Sequence, residues 1–591
     1  MARPSYRSLN IGALYGGLAV LFCVPLFEWP HGVGFEDWDQ QLFLYGSVLK
    51  SLVEYGSAPF WNPWYCGGNV LWANPQVALI SPVYPLVLMM SLPLAMKFSI
   101  LLHYWVGLLG MHLLLRRGIG VTALSSVVYL SCVFGLSGAP ALHLAVGHST
   151  FLPVFYLPIQ LYCVLQATKT GRLKYAFGAA GWLALMIYSG GMHVVPMALI
   201  ALGCFGCIAV WALQSWRPLI VVLVVVGAGL AYAGPKLVPV MRFVASDSFL
   251  DNRNEQGLDR NSNRVEWMAP ETVPQVYLNR NQHVAPPVGS QQYGWHEYGN
   301  YTGALFGLLF LSSLVWVAVH RTQLDRRFGL AMGGTAVFLL ILSMGEFASF
   351  APASLVKLLP FFSSFRIPSR FTIVFVLFAV LTVAWVWRQL LLERFDRRVG
   401  GFVAAICVVA TADLVLHNQK WFDDAFSEPS FVSQFRWFDG PDAIVADTDS
   451  DPHGGGAPML RALVRDRAFF NCYEPLQLVR TSDPSRPVVY TDGEATISDT
   501  RFAPNTVEFS VLSGASPSVL LLNVNFFSGW GSTLGPVTAE PNSGLPSATI
   551  SAGRGGRHRF RFFPEGLWLG MTLLALATVV SVRTWRYTLP E

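Results

Sequence analysis

Long apolar runs separated by short polar breaks dominate the chain. Runs of about 20 apolar residues cross a bilayer as helices. In order they are Leu9–Phe27, Met96–Leu115, Val121–Pro140, Phe151–Thr168, Tyr175–Gly190, Val195–Leu213, Pro218–Val240, Thr302–His320, Phe328–Ser349, Phe371–Trp387, Gly401–Leu416 and Gly566–Val582, so the pattern predicts 12 spans. The basic breaks fall on one side when the spans alternate: Arg3 and Arg7, Arg116 and Arg117, Lys169 to Lys174, Arg217, Arg321 to Arg327, Arg388 to Arg398, and Arg583 with Arg586. Cytoplasmic loops are the ones enriched in Lys and Arg. Both termini are therefore expected in the cytoplasm, and the first apolar run reads as an uncleaved span, without a small-residue cleavage site. Leu79–Pro93 is apolar but short and bounded by proline. It reads as a re-entrant or interfacial segment on the outer side.

The polar stretches that remain are the outer ones. The first outer loop, 28–95, holds Phe35–Pro82, which opens with Asp37 and Asp39, continues with an amphipathic helical run from Gln40 to Tyr55, and ends in tryptophan, asparagine, glycine and proline. A second long outer loop covers 242–301. Between the last two spans, 418–564 alternates in its second half like strands, at Asn505–Val511, Ser518–Phe527, Ala548–Ser551 and His558–Phe563. The expected fold is a polytopic α-helical membrane protein with a β-rich extracytoplasmic domain. Its parts are a transmembrane module at 1–417, the outer domain at 418–564, and a final helix with its tail at 565–591.

Composition agrees with that class. The chain is 53% hydrophobic and 13% charged, with a mean hydropathy of +0.45, where soluble domains carry about 25% charged residues. No basic patch supports nucleic-acid binding, and no Gly-x-Ser-x-Gly, His-Glu-x-x-His or Cys-x-x-Cys-His supports a protease or a haem protein. Of the eight cysteines, only Cys66 and Cys472 are expected outside, where an oxidising compartment would allow them to pair. Cys204 and Cys207 lie in an apolar run and read as packing residues.

Several motifs carry a resemblance when taken in order: Asp37-x-x-x-Gln41, Pro59-Phe60-Trp61-Asn62-Pro63, Gly67-Gly68, Ala73-Asn74-Pro75, Gly147-His148, Phe365 to Phe371, Ala503-Pro504-Asn505, and Phe526 to Trp530, followed by a Gly–His–Arg–Phe strand and a last span. Nearly the whole chain resembles the YfhO family of bacterial membrane proteins, which is similar to the GT-C superfamily of integral-membrane glycosyltransferases. That family usually has Gly-Asp-Gly where this chain has Glu36-Asp37-Trp38. The resemblance implies a GT-C-like architecture in the bacterial cytoplasmic membrane and a polyprenyl-phosphate-linked sugar donor. It also implies a glycan or glycolipid acceptor, and transfer on the outer side.

Such a transfer needs a base for the acceptor hydroxyl and a partner for the leaving phosphate. A placed carboxylate supplies the base, and arginine, lysine, histidine or a divalent cation supplies the partner. Asp37 is the first candidate base and Asp39 the next. Together they form Asp-x-Asp, which could hold Mg²⁺ or Mn²⁺, or they could simply be solvated acids at a helix start. Glu297, in Trp295-His296-Glu297-Tyr298, is a second carboxylate, unless that stretch is an interfacial aromatic belt. His148, His193, Lys236, Arg366 and Arg370 are candidates for phosphate or hydroxyl binding. Their alternatives are capping for the histidines and headgroup snorkelling for the arginines. His143 reads as structural. Trp61 and Trp64 could stack on sugar rings or anchor the loop at the membrane surface. A non-enzymatic transporter or assembly scaffold for lipid-linked glycans is the rival reading. It would not need Asp37, and transporters often show inverted repeats.

Overall fold

A computed structural model describes residues 6–245, 268, 272–282, 294–319, 323–359, 367–392, 397–428, 445–447, 456–465, 467–469, 483, 485–512 and 514–589. Each of the 12 predicted segments corresponds to helix in it. Among the described residues, eight helices are long and apolar enough to span alone, a pair bent by 82° makes a ninth if it is one span, and three more (Leu173–Tyr188, Ala304–Val319, Arg327–Ser343) are apolar but shorter. The bent pair is Arg217–Tyr232 with Gly234–Val244. Its break is pinned by backbone contact with the last helix: a Cβ on Gly234 would lie 2.7 Å from the Gly570 carbonyl oxygen. Leu79–Pro93 contains only the five-residue helix Val83–Val87 before the next helix begins at Leu92. Leu88 and Met89 beside it are exposed.

The loops predicted to share a side do meet. At one end of the bundle, Arg388 donates to the Ile119 carbonyl and Leu589 donates its N–H to the Gly171 carbonyl. At the other end, Asp37 donates its N–H to the Val146 carbonyl and Leu79 to that of Tyr188.

The domain expected on the outer side (the outer domain) is built mainly on two antiparallel four-stranded sheets. Their strands are β5 (Val489–Asp492), β6 (Thr496–Ala503), β7 (Thr506–Leu512), β8 (Ser518–Leu522), β9 (Trp530–Ser532), β10 (Thr538–Ala539), β11 (Pro546–Ile550) and β12 (Gly556–Phe562). The first sheet runs β10-β11-β8-β5 and the second β6-β7-β12-β9. Period-two alternation builds them: Val507, Phe509 and Val511 of β7 are buried, and Glu508 between them is exposed. Inner residues of both sheets share one apolar core.

That core does not stop at the domain. It continues through Phe43, Leu44, Val48, Trp61, Trp64, Tyr65 and Leu71 of the first loop. The helical run expected from Gln40 to Tyr55 is helix Trp38–Leu49 with a wider turn over Lys50–Glu54, and every residue from Trp38 to Ser51 is buried. The sequence suggested an amphipathic surface helix. The structure instead encloses it between the bundle and the outer domain, so both faces are packed. A short hairpin follows, β1 (Trp61–Asn62) against β2 (Asn69–Val70). The stretch Trp64–Cys66 then bonds to β4 (Arg467–Phe469), which runs parallel to β3 (Val445–Asp447).

Candidate active site

Asp37 sits where the first loop turns into its helix. Glu36 takes φ +53° and Asp37 caps the helix. Gly147, at φ +94°, lets the two chains touch: a Cβ there would lie 2.3 Å from the Trp38 nitrogen. Only glycine adopts that φ freely and leaves the space. The Trp38 indole is buried, donates to the Leu144 carbonyl and packs on Phe426. The neighbouring loops are tied together by Gln41, which accepts from Ser149 and donates to Gln76.

This docking sets the Asp37 carboxylate 3.2 Å from His148 Nε2, with a third of the aspartate side chain exposed (34%). On its other nitrogen, His148 meets His143 Nδ1 at 2.9 Å. His143 is buried and stacks on Phe151, with ring centroids 3.8 Å apart. Behind this row lies a buried ion pair. Arg370 donates through Nε to one oxygen of Glu297 at 2.7 Å and through a terminal nitrogen to the other at 2.5 Å. Its remaining terminal nitrogen lies 3.0 Å from His193 Nδ1. Its guanidinium also lies over the Phe151 ring, and Ser369 donates to the Glu297 carbonyl. Burial works to raise the Glu297 carboxyl, but Arg370, with His143 and His148 beyond it, holds it well below the usual carboxylate range.

Asp37, His148, His193, Glu297 and Arg370 therefore form one cluster, drawn from five separated segments. His143, read from the sequence as structural, is buried beside this cluster and bonds to His148. Its signal was present in the sequence: His143 and His148 flank the turn at Gly147.

The other candidates lie elsewhere. Asp39 points into the outer domain, where its two oxygens accept the N–H groups of Met459 and Leu460 at 2.8 Å each. These are first-turn amides of helix Pro458–Val464, so Asp39 caps that helix from across the domain boundary. Burial pushes its carboxyl up to about 6, opposed by those two amides. The pairing of Asp37 with Asp39 as cation ligands does not fit, because Asp39 is fully engaged.

Lys236 is buried and donates to the carbonyls of Trp72, Asn74 and Val77 at 2.8, 2.7 and 3.1 Å. It clamps the first loop to the bent helix. Trp61 is buried among Phe527, Trp530 and Phe562, and Trp64 is buried beside Tyr55. Neither tryptophan offers a face to a sugar or a membrane surface. Arg366 lies outside the described residues. Cys66 is disulfide-bonded. Cys472 lies outside the described residues.

Sequence reading passed over two polar anchors. Asn505 accepts from the Trp61 N–H and donates to the Ala58 carbonyl, and Asn525 donates to the carbonyls of Cys66 and Gly68. It also passed over Arg280, Tyr301 and Asp413, which join at 2.7 to 3.0 Å outside the cluster.

One group of described residues has the spacing of a cation site, but Arg370 already holds both Glu297 oxygens and the two histidines bond to each other, so a cation there would have to displace those bonds. His143, His148 and Glu297 each offer a ligand atom, and these atoms lie within 4.8 Å of one another. Two imidazoles and one carboxylate suit zinc or manganese better than magnesium, which prefers oxygen ligands.

No family model matches the chain, and no curated protein matches it. Solved structures do align with it. Over 81% of this chain and 65% of the other, it is similar to the archaeal oligosaccharyltransferase AglB from Archaeoglobus fulgidus in complex with an inhibitory peptide and a dolichol-phosphate, at 12% identity and a TM-score of 0.41. The apo oligosaccharyltransferase of the same organism aligns at 13% identity and a TM-score of 0.39, over 71% of this chain and 56% of that one. The arabinofuranosyltransferase AftD from Mycobacteria aligns at 14% identity and a TM-score of 0.40, over 72% of this chain. The chain spans 27% of that transferase's length.

Proposed function

We propose that this chain is an integral-membrane glycosyltransferase of GT-C type. It moves a sugar from a polyprenyl-phosphate carrier to an envelope glycan or glycolipid, on the outer face of the bacterial cytoplasmic membrane. The observation that supports this reading is the Asp37–His148 pair, with Asp37 a third exposed to solvent, backed by the Glu297–Arg370–His193 row at one end of an apolar bundle.

In this reading Asp37 takes the proton of the acceptor hydroxyl, and His148 orients the carboxylate. The acceptor oxygen bonds to the anomeric carbon as the bond from that carbon to the phosphate oxygen breaks. The phosphate leaves with the electron pair, and the sugar configuration inverts. Glu297 fixes Arg370 through both oxygens, which leaves the guanidinium edge toward His193 as the polar seat for the leaving phosphate. A divalent cation at His143, His148 and Glu297 would supply charge for the leaving group only by replacing Arg370 on Glu297, so Arg370 is the partner assigned to the phosphate.

The test is transfer of labelled sugar from polyprenyl-phosphate donors in proteoliposomes, comparing wild type with Asp37→Asn at matched expression. Loss of turnover with donor binding retained supports the assignment. Unchanged turnover in the variant removes Asp37 as base. A wild-type protein that binds the lipid yet transfers from no donor favours a transporter or scaffold instead.

A further inference from the structure

A concavity of about 540 Å³ lies where the first loop meets the sheet of β6 and β12. Phe60 and Phe502 line it together with Arg501, Glu508, Arg559 and Arg561. It is not part of the cluster around Asp37. Helix and wide turn from Trp38 to Glu54 separate the two, and seventeen residues at 1.5 Å each span about 25 Å.

The strand pattern arranges its charges. On β12, Phe560 and Phe562 point inward, so Arg557, Arg559 and Arg561 all face out, and all are exposed. Alternate residues on a strand stand about 6.8 Å apart. The register places Glu508 of β7 opposite Arg559 on one side and Arg501 on the other. Four arginines thus share one sheet face, and Glu508 is set between two of them. Among the described residues, none of these four guanidiniums has a side-chain hydrogen bond or ion pair. Burial cannot account for them, and fold stability gains little from a row of like charges on one face.

We infer that this cleft binds an anionic glycan, one that carries carboxylate or phosphate at regular intervals. Guanidinium forks match such groups in geometry and charge. Phe60 and Phe502, half-buried at the rim, give the sugar rings an apolar wall. A phospholipid headgroup presents one anion at a fixed depth, whereas the arginines of β12 repeat along the strand. The inference goes beyond the transferase reading and does not depend on it, because binding at the cleft is read without turnover.

The test uses the full chain in nanodiscs of phosphatidylcholine, with fluorescent oligogalacturonate of six units as probe and maltohexaose as the neutral control. The charged oligomer binds, maltohexaose does not, and added salt weakens binding. Arg559→Gln with Arg561→Gln weakens it about tenfold or more, the loss expected when two charge-assisted contacts go. Glu508→Gln tightens it, a gain that no folding defect produces. Equal binding of the neutral oligomer, or an unchanged affinity in the double variant, overturns the proposal. Full displacement of the oligomer by phosphatidylglycerol built into the same nanodisc assigns the cleft to lipid headgroups and also overturns it.

Discussion

Asp37 and Asp39 differ by two positions and lie in separate surroundings, so under the proposed reading substituting each should produce different phenotypes. In Asp39→Ala, the N–H groups of Met459 and Leu460 lose their acceptors at a buried boundary. Loss of a helix cap costs about 0.5–2 kcal/mol, and a hydrogen bond to a charged group is worth about 1.5–3 kcal/mol. A net local loss of about 2 kcal/mol is reasonable, since water can reach the loosened cap. It should appear as roughly thirtyfold faster amide exchange at Met459 and Leu460 and less at the transmembrane helices. Asp37→Asn should leave that exchange unchanged, because its side chain is a third exposed and caps no helix amide through its carboxylate. Its turnover should fall by about 10²–10⁴, the usual contribution of a placed base. Hydrogen-exchange mass spectrometry and the transfer assay, run on the same preparations, separate the two. The reasoning fails if Asp39→Ala abolishes turnover while exchange at Met459 and Leu460 stays at the wild-type rate.

Four further outcomes follow from the geometry. The Asp39 carboxyl, raised to about 6, binds a proton more tightly folded than unfolded, so its contribution is full below about pH 4 and is lost as pH rises through about 6; the outer domain of Asp39→Asn should lack that component in a melting series from pH 4 to 7. Glu297 has the opposite sign: its support is present above the usual carboxylate range and fades as pH falls toward its depressed value. Glu297→Gln leaves Arg370 buried without its partner and should cost about 3–5 kcal/mol, whereas Glu297→Gln with Arg370→Met should recover thermal stability but not turnover. Lys236→Met strips three loop carbonyls of their donor, at about 1–3 kcal/mol for each group left buried and unpaired, and limited proteolysis should then cut near Trp72–Val77. Gly147→Ala should displace the Asp37 backbone and lower turnover with every cluster side chain still present; wild-type turnover in that variant would falsify the contact at Gly147.

The two arginine–carboxylate arrangements differ in kind. Glu297 and Arg370 are enclosed, so removing one partner matters more than the pair's net contribution to stability. Arg280 and Asp413 are paired at 2.7 Å, but the arginine side chain is largely exposed (65%). Such pairs contribute about 1 kcal/mol or less, and Arg280→Gln is expected to be close to silent in stability.

The sequence by itself located the 12 apolar helical segments and four of the strands, β7, β8, β11 and β12, but not β1–β6, β9 or β10. Both depend on local patterns: a run of apolar side chains must close its own backbone hydrogen bonds in lipid, and a half-buried strand must alternate. It also placed the outer loops on one side, through the arginines and lysines of the other. It ranked Asp37 ahead of Asp39 but could not say where either carboxylate points. Two steps along a helix turn a side chain by roughly 200°, so one carboxylate faces the bundle end and the other faces the outer domain. Only the fold supplies what lies in each direction. The same holds for Trp61, Trp64 and Lys236, whose types suggest ligand contact, but whose surroundings (a shared core and three inward carbonyls) give them packing and clamping roles. Residues more than a hundred positions apart, such as His148 and Glu297, meet only because the helices between them pack, and packing of that range leaves no periodic trace in the chain.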